Sequence, residues 1–179
     1  MHISSVKNVV RVGQIICRAD HDKKLSLVPD VQISREELKR EVGRVYLITV
    51  NGVIQKIGGS QAAGGIQGTL GAYLAGFSKG MSPRTYCVWK FMYNAIRAND
   101  TVEVFVVFAP LAKAKIPTMT GFTEVEIPVD YHSIESAFVS EYVKQEGEYP
   151  YLNIQESGRK WKDMGELLEG YPGIIETGE

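Results

Sequence analysis

Apolar and polar positions follow one another along this chain at spacings that outline its elements. Residues 7–18 place β-branched side chains on both sides of Gly13 and read as extended. Residues 19–30 are polar and turn-rich, ending at Pro29-Asp30, and read as a connection. Ser34-Arg35-Glu36-Glu37 has the form of a capping box, which opens a short helix to about Val42, and Gly43 stops it. Two β-rich runs follow, Arg44–Val50 and Val53–Ser60, joined by Asn51-Gly52, the strongest short hairpin signal. Thr69–Phe77 carries a weakly helical pattern inside a glycine-rich stretch, residues 58–80. Ser82-Pro83 is a helix start, with Val88, Phe91, Met92, Ala95 and Ile96 on the apolar side of a helix to about Arg97. Thr101–Phe108 is almost continuously apolar, as a central strand should be. Ala109–Gly121 reads as a loop, Phe122–Val129 as an alternating strand, and Asp130 as the cap of a helix over Tyr131–Glu146. Gly147–Pro150 breaks the chain, Tyr151–Ile154 reads as a short extended piece, and Arg159–Gly170 as a terminal helix. The fold class is α+β (or α/β), with a small, mostly antiparallel sheet flanked by helices.

Composition narrows the function classes. The chain has 179 residues, enough for one domain with its own core. Its formal net charge is -1, so a nucleic-acid contact would have to come from a local patch rather than a global basic field. Candidates for such a patch are Lys79, Arg84, Lys90, Arg97, Lys113, Lys115, Arg159, Lys160 and Lys162. The two cysteines, Cys17 and Cys87, lie far apart, and no Cys/His cluster has zinc spacing. No basic start leads into an apolar stretch, and no apolar run reaches the length of a membrane span. The expected setting is the cytoplasm, with no membrane partner.

The chemistry concentrates on the hairpin. Tyr46 and Lys56 sit ten residues apart, a phenol and an amine that share a site only if the turn allows it. A two-residue loop pairs Val50 with Val53 and sends Lys56 to the face opposite Tyr46, because strand side chains alternate. A three-residue loop sets Lys56 directly across from Tyr46, and a bulge would have the same effect on the face. The glycine-rich stretch 58–80 raises a nucleotide-binding loop as a minor reading, although no lysine followed by Ser/Thr stands at P-loop spacing.

These runs resemble the GIY-YIG nucleases. Arg44-Val45-Tyr46 stands where that family's first triplet would be, and Lys56-Ile57-Gly58 where its second would be, with lysine in place of the second tyrosine as in some restriction-enzyme members. Ile134-Glu135-Ser136-Ala137-Phe138-Val139 resembles the segment of the family's catalytic glutamate, with Glu141 as the competing position, and Pro150-Tyr151-Leu152-Asn153 resembles that of its asparagine. The family's arginine falls near Gln67 at the shortest spacing. In members with a long insertion it falls at Arg84, where the histidine that often follows one turn later is replaced by Val88. The resemblance covers residues 43–155, which leaves 1–42 as an N-terminal extension and 156–179 as a C-terminal helix and tail of one domain.

The resemblance implies a metal-dependent DNA endonuclease, of type II restriction, phage or homing kind, with a homodimer left open. It implies Tyr46, Lys56, Arg84, Glu135 and Asn153 as site residues, and Mg²⁺ or Mn²⁺ on Glu135. Tyr46 would orient water or act as base with Lys56 as its neighbouring cation, Arg84 would brace the phosphate, and Asn153 would hold the metal-bearing helix or a tyrosine. The alternative is a module that kept the fold as an inactive nucleic-acid- or protein-binding surface.

Overall fold

The computed structural model describes residues 1–76, 81–159 and 164–171. Strand β1 (Val10–Arg18) turns back into β2 (His21–Pro29), and α1 (Arg35–Lys39) follows behind a complete Ser34/Glu37 capping box. The hairpin β3 (Arg44–Val50) and β4 (Val53–Ser60) leads into α2 (Gly65–Leu74) and α3 (Pro83–Arg97). Then come β5 (Val102–Phe108), β6 (Leu111–Thr118), β7 (Gly121–Pro128), α4 (Tyr131–Glu146) and the short α5 (Gly165–Leu168).

Five strands form one sheet in the order β2-β1-β5-β3-β4, antiparallel at every pairing. The central place of β5 follows from its sequence. Val102, Val104 and Val106 enter the core on one face, and Phe105 enters the core on the other. The first core takes the apolar sides of α2 and α3, including Leu70, Val88 and Met92. The second is smaller and lies under α4, where Phe138, Val139 and Tyr142 cover Leu47, Ile54 and Ile57. Strand β4 is therefore an edge strand reached by elements from both faces.

Two connections in the sequence reading are strands in the structure. Residues 21–29 form β2, because Leu25 and Leu27 alternate opposite Cys17 and Ile15 once the chain has turned at Ala19-Asp20. Residues 111–118 form β6, since cross-strand pairing with β7 overrides the weak strand preference of Ala, Lys and Pro. Conversely, the stretch read as extended at 151–154 is a series of turns. Helix α2 begins four residues before the predicted Thr69. Phe77, Lys79 and residues 160–163 of the predicted 159–170 helix, Lys160 and Lys162 among them, lie outside the described residues.

Candidate active site

The β3–β4 turn is the two-residue kind, with Asn51 (φ 49°) and Gly52 (φ 78°) both left-handed and Val50 paired to Val53. On its own that register would turn Lys56 away from Tyr46. A bulge reverses the outcome: Thr49 pairs with Ile54, but Ile48 pairs with Lys56, which leaves Gln55 as the extra residue. Lys56 thus shares the face of Tyr46 and Ile48. It is opposite Ile48 rather than Tyr46; the residue opposite Tyr46 is Gly58. The three-residue loop that would have set Lys56 directly across from Tyr46 does not form.

The bulge is held from outside the hairpin. The Leu152 N–H donates to the Gln55 carbonyl at 2.8 Å. The buried Asn153 amide then behaves like one residue of an added strand. Its Oδ1 accepts from the Ile57 N–H and its Nδ2 donates to the Ile57 carbonyl, each at 2.9 Å. These bonds satisfy the open edge of β4 between Lys56 and Gly58. Asn153 holds this strand, not α4 or a tyrosine.

Gly58 and Gly59 serve close approach. A Cβ at Gly58 would come within 2.5 Å of the Tyr46 ring and hydroxyl, and one at Gly59 would collide with the Glu135 carboxylate and the Tyr131 ring. Tyr46 therefore lies over one side of β4, and Glu135, from the first turns of α4, comes against the other. Arg84, exposed in the first turn of α3, donates from Nη1 to Gln155 Oε1 at 3.1 Å. Arg84 and Glu135 both act on the ionisation of Tyr46 and of Lys56. Arg84 and Glu135 are thus each in electrostatic reach of both Tyr46 and Lys56 at the β4 edge, and Asn153 fixes that edge.

The two central groups differ in character. Burial holds the Tyr46 phenol well above the ordinary tyrosine range, and Tyr73 reinforces this through an O–O contact of 3.1 Å; Arg84 opposes it. The cation that eases its ionisation is therefore Arg84, and Lys56 is not among the groups acting on it. Lys56 is 5% exposed, and its one hydrogen bond among the described residues, to the Leu152 carbonyl, is long at 3.5 Å. Burial lowers its pKa to about 8; Glu156 and Glu135 pull it up, and Arg84 pushes it down.

Tyr73 escaped the sequence reading because α2 sits in the glycine-rich stretch. The signal was there: Ile66, Leu70 and Tyr73 recur at helical spacing and all are buried. Gly65 and Gly68 are spacers. A Cβ at Gly65 would strike the Leu38 carbonyl, and one at Gly68 would strike that of Ala63, so they pack backbone on backbone and do not form a phosphate cradle.

Glu135 retains 22% exposure, and His132 Nδ1 lies 3.9 Å from its Oε2. Among the described residues no group of three His, Cys, Asp or Glu gathers. A single accessible carboxylate fits a hard ion such as Mg²⁺, which keeps several waters and takes substrate oxygens; it does not fit an all-protein zinc cage.

The sequence matches no protein-family model and no curated protein. The fold does match solved structures. Bacteriophage T4 EndoII, in a mutant form, aligns with a TM-score of 0.54 at 11% identity, over 86% of this chain and all of that one. The restriction endonuclease HPY188I in complex with product DNA aligns with a TM-score of 0.50 at 18% identity, over 84% of each chain. Both are GIY-YIG nucleases, so this mixed α+β chain with its five-stranded antiparallel sheet shares the GIY-YIG fold. Among the described residues, no helix is long and apolar enough to cross a membrane.

Proposed function

We propose that the protein is a metal-dependent DNA endonuclease that hydrolyses phosphodiester bonds at the β4 edge, with a type II restriction enzyme as the specific reading. The observation that carries it is the bulge at Gln55, which turns a lysine into a buried site on the face of Tyr46 where, among the described residues, no salt bridge accounts for it. A lysine held at about pH 8 is the group whose neutral amine is available near physiological pH. It takes the proton as water oxygen attacks phosphorus and the bond to the leaving oxygen breaks. Tyr46, kept as a phenol by burial, positions that water through its hydroxyl. Arg84 braces the non-bridging phosphate oxygens with its forked donors. Glu135 would hold a divalent cation, Mg²⁺ or Mn²⁺, which would supply neutralisation of charge on the phosphate and leaving oxygen. Asn153 is a positioning residue that acts through Ile57.

DNA as substrate is supported by the shared fold and by the HPY188I complex with product DNA. The experiment is plasmid cleavage with Mg²⁺ or Mn²⁺ across many sequences, with Glu135→Ala as control. We expect nicked and linear products from the native chain only. Absence of cleavage on all substrates and metals, with duplex binding retained, would instead favour a binding module. Two observations favour that second reading: the Tyr46 hydroxyl is engaged by Tyr73, and Val88 stands where a relay histidine would be.

A further inference from the structure

Leu152, Asn153 and Ile154 are buried in a row and anchor the chain after α4. Leu152 and Ile154 sit in the first core, and the Asn153 amide is bonded to Ile57 of β4. The chain then turns at once. The Ser157 N–H donates to the Asn153 carbonyl at 3.1 Å, and the Ser157 hydroxyl donates to the Ile154 carbonyl at 2.9 Å. Gln155 rides on this turn, with its side chain exposed and its backbone fixed on both sides. Its Oε1 accepts from Arg84 Nη1 on α3. The same segment meets the other cation of the site, because the Leu152 carbonyl accepts from Lys56 Nζ. Arg84 and Lys56 come from different elements, and this turn is bonded to both.

Arg84 needs a hold from outside its own helix. It stands exposed in the first turn of α3, where the helix dipole repels a cation. A long, exposed side chain also gives up much rotamer freedom to stay in one place. The contact is not needed to dock the turn on α3. Leu152 and Ile154 already pack into the core, and the Tyr151 ring lies against Phe91 of α3 with centroids 5.5 Å apart.

The neutrality of the acceptor decides between a dock and a support. A carboxylate at position 155 would pair with the guanidinium more strongly, but it would cancel the charge needed by a phosphate. The Gln155 amide takes one N–H and leaves Arg84 its charge and the rest of its fork. We propose, on the nuclease reading above, that Gln155 is a positioning residue: it holds the Arg84 guanidinium in one place, with its charge intact, for the scissile phosphate.

Gln155→Met keeps the side-chain length and removes the acceptor. Nitrogen-15 relaxation of the Arg84 guanidinium in the full chain, without DNA or metal, should show an ordered group in the native protein. In the variant the order parameter should fall below about 0.6, with thermal unfolding unchanged. An order parameter that is the same in both chains overturns the proposal, whatever a cleavage assay shows. With plasmid and Mg²⁺, kcat/KM of Gln155→Met should fall about tenfold. The rising limb of its pH–rate profile should move in the same direction as that of Arg84→Ala. Neither change should appear when Gln155→Met is added to Arg84→Ala, and full additivity of the two substitutions would overturn the proposal. Gln155→Glu should also slow cleavage although its Arg84 stays ordered; a native rate in that variant would reduce the contact to a dock. A native chain that orders Arg84 through Gln155 but cuts no DNA would sink the nuclease reading and leave the hold on Arg84 standing.

Discussion

Two cations enter the core from the same hairpin, and they are held in opposite ways. Arg44, at the start of β3, is fully buried, yet its guanidinium donates to the Val42 carbonyl twice (2.9 and 2.7 Å), to Thr69 Oγ1 (3.0 Å) and to the Ala62 carbonyl (3.4 Å). Lys56, at the bulge in β4, is nearly as buried and has one long hydrogen bond. Burial lowers the pKa of both. Arg44 spends its donors joining the α1–β3 connection, the β4–α2 connection and α2, which is a structural task. Among the described residues Lys56 joins only the Leu152 carbonyl, so the fold carries a buried amine with most of its donor capacity unused.

The contrast is sharpest under substitution to methionine, which keeps length and removes charge. Lys56→Met should reduce cleavage by about 10³-fold if the amine is the general base. The same change should stabilise the protein. A shift from the ordinary lysine value of 10.5 to about 8 corresponds to roughly 3 kcal/mol against the charged form. The sign follows from linkage: below pH 8 the buried amine is charged in both states and the full penalty stands. As pH rises from 8 to 10.5 the folded state releases its proton first, so the penalty fades. The gain in thermal midpoint should therefore be largest at neutral pH and vanish near pH 10.5. Calorimetry across that range, beside a plasmid assay, checks both halves; a variant both inactive and less stable would make Lys56 structural.

Arg44→Met should do the reverse. It leaves the Val42 and Ala62 carbonyls and the Thr69 hydroxyl short of a donor and should destabilise by about 3 kcal/mol. The rate per folded molecule should change little, measured at a temperature where denaturant curves show the variant still folded. A large loss of rate in fully folded protein would move Arg44 into the site and dissolve the comparison.

How far this contrast was legible in the sequence depends on the range of the interactions behind it. The hairpin, α3, α4 and β5 are specified locally, by Asn51-Gly52, by the Ser82 and Asp130 caps and by the apolar run of β5. Strands β2 and β6 were not legible because their polar residues, such as Ser26, Lys113 and Lys115, read as loop, and only a pairing partner makes them strand. The face on which Lys56 emerges depends on a bulge tied to Leu152 and Asn153, some 96 residues further along the chain. No local pattern encodes that. The hairpin reading left two turns and the chance of a bulge open for this reason, and the two-residue loop with a bulge is what forms. Gly58-Gly59 was the readable clue to crowding, since adjacent glycines in a strand mark a close approach from outside.

Arg84 connects the comparison to solvent. It is exposed and lowers the pKa of Lys56 and of Tyr46 alike. Arg84→Ala should slow cleavage by about 10²-fold through lost phosphate bracing. It should also raise the pKa of Lys56, so the rising limb of the pH–rate profile moves to higher pH. A slower enzyme with an unmoved limb would leave Arg84 as a phosphate ligand that does not tune the amine.

The smallest effect is expected at Tyr73, and it separates the phenol from the amine as the titrating group. Tyr73→Phe removes the 3.1 Å partner of the Tyr46 hydroxyl and should cost about 1 kcal/mol of stability. It also removes one influence that holds the Tyr46 pKa up, although burial, the larger cause, remains. If Lys56 is the base, the rate should fall less than about tenfold and the limb near pH 8 should stay where it is. If Tyr46 is the base, easing its ionisation should shift the limb to lower pH and raise the rate at neutral pH. One conservative substitution, read at several pH values, thus decides which hairpin side chain takes the proton, and with it whether the poor satisfaction of Lys56 is a catalytic feature or only a packing cost.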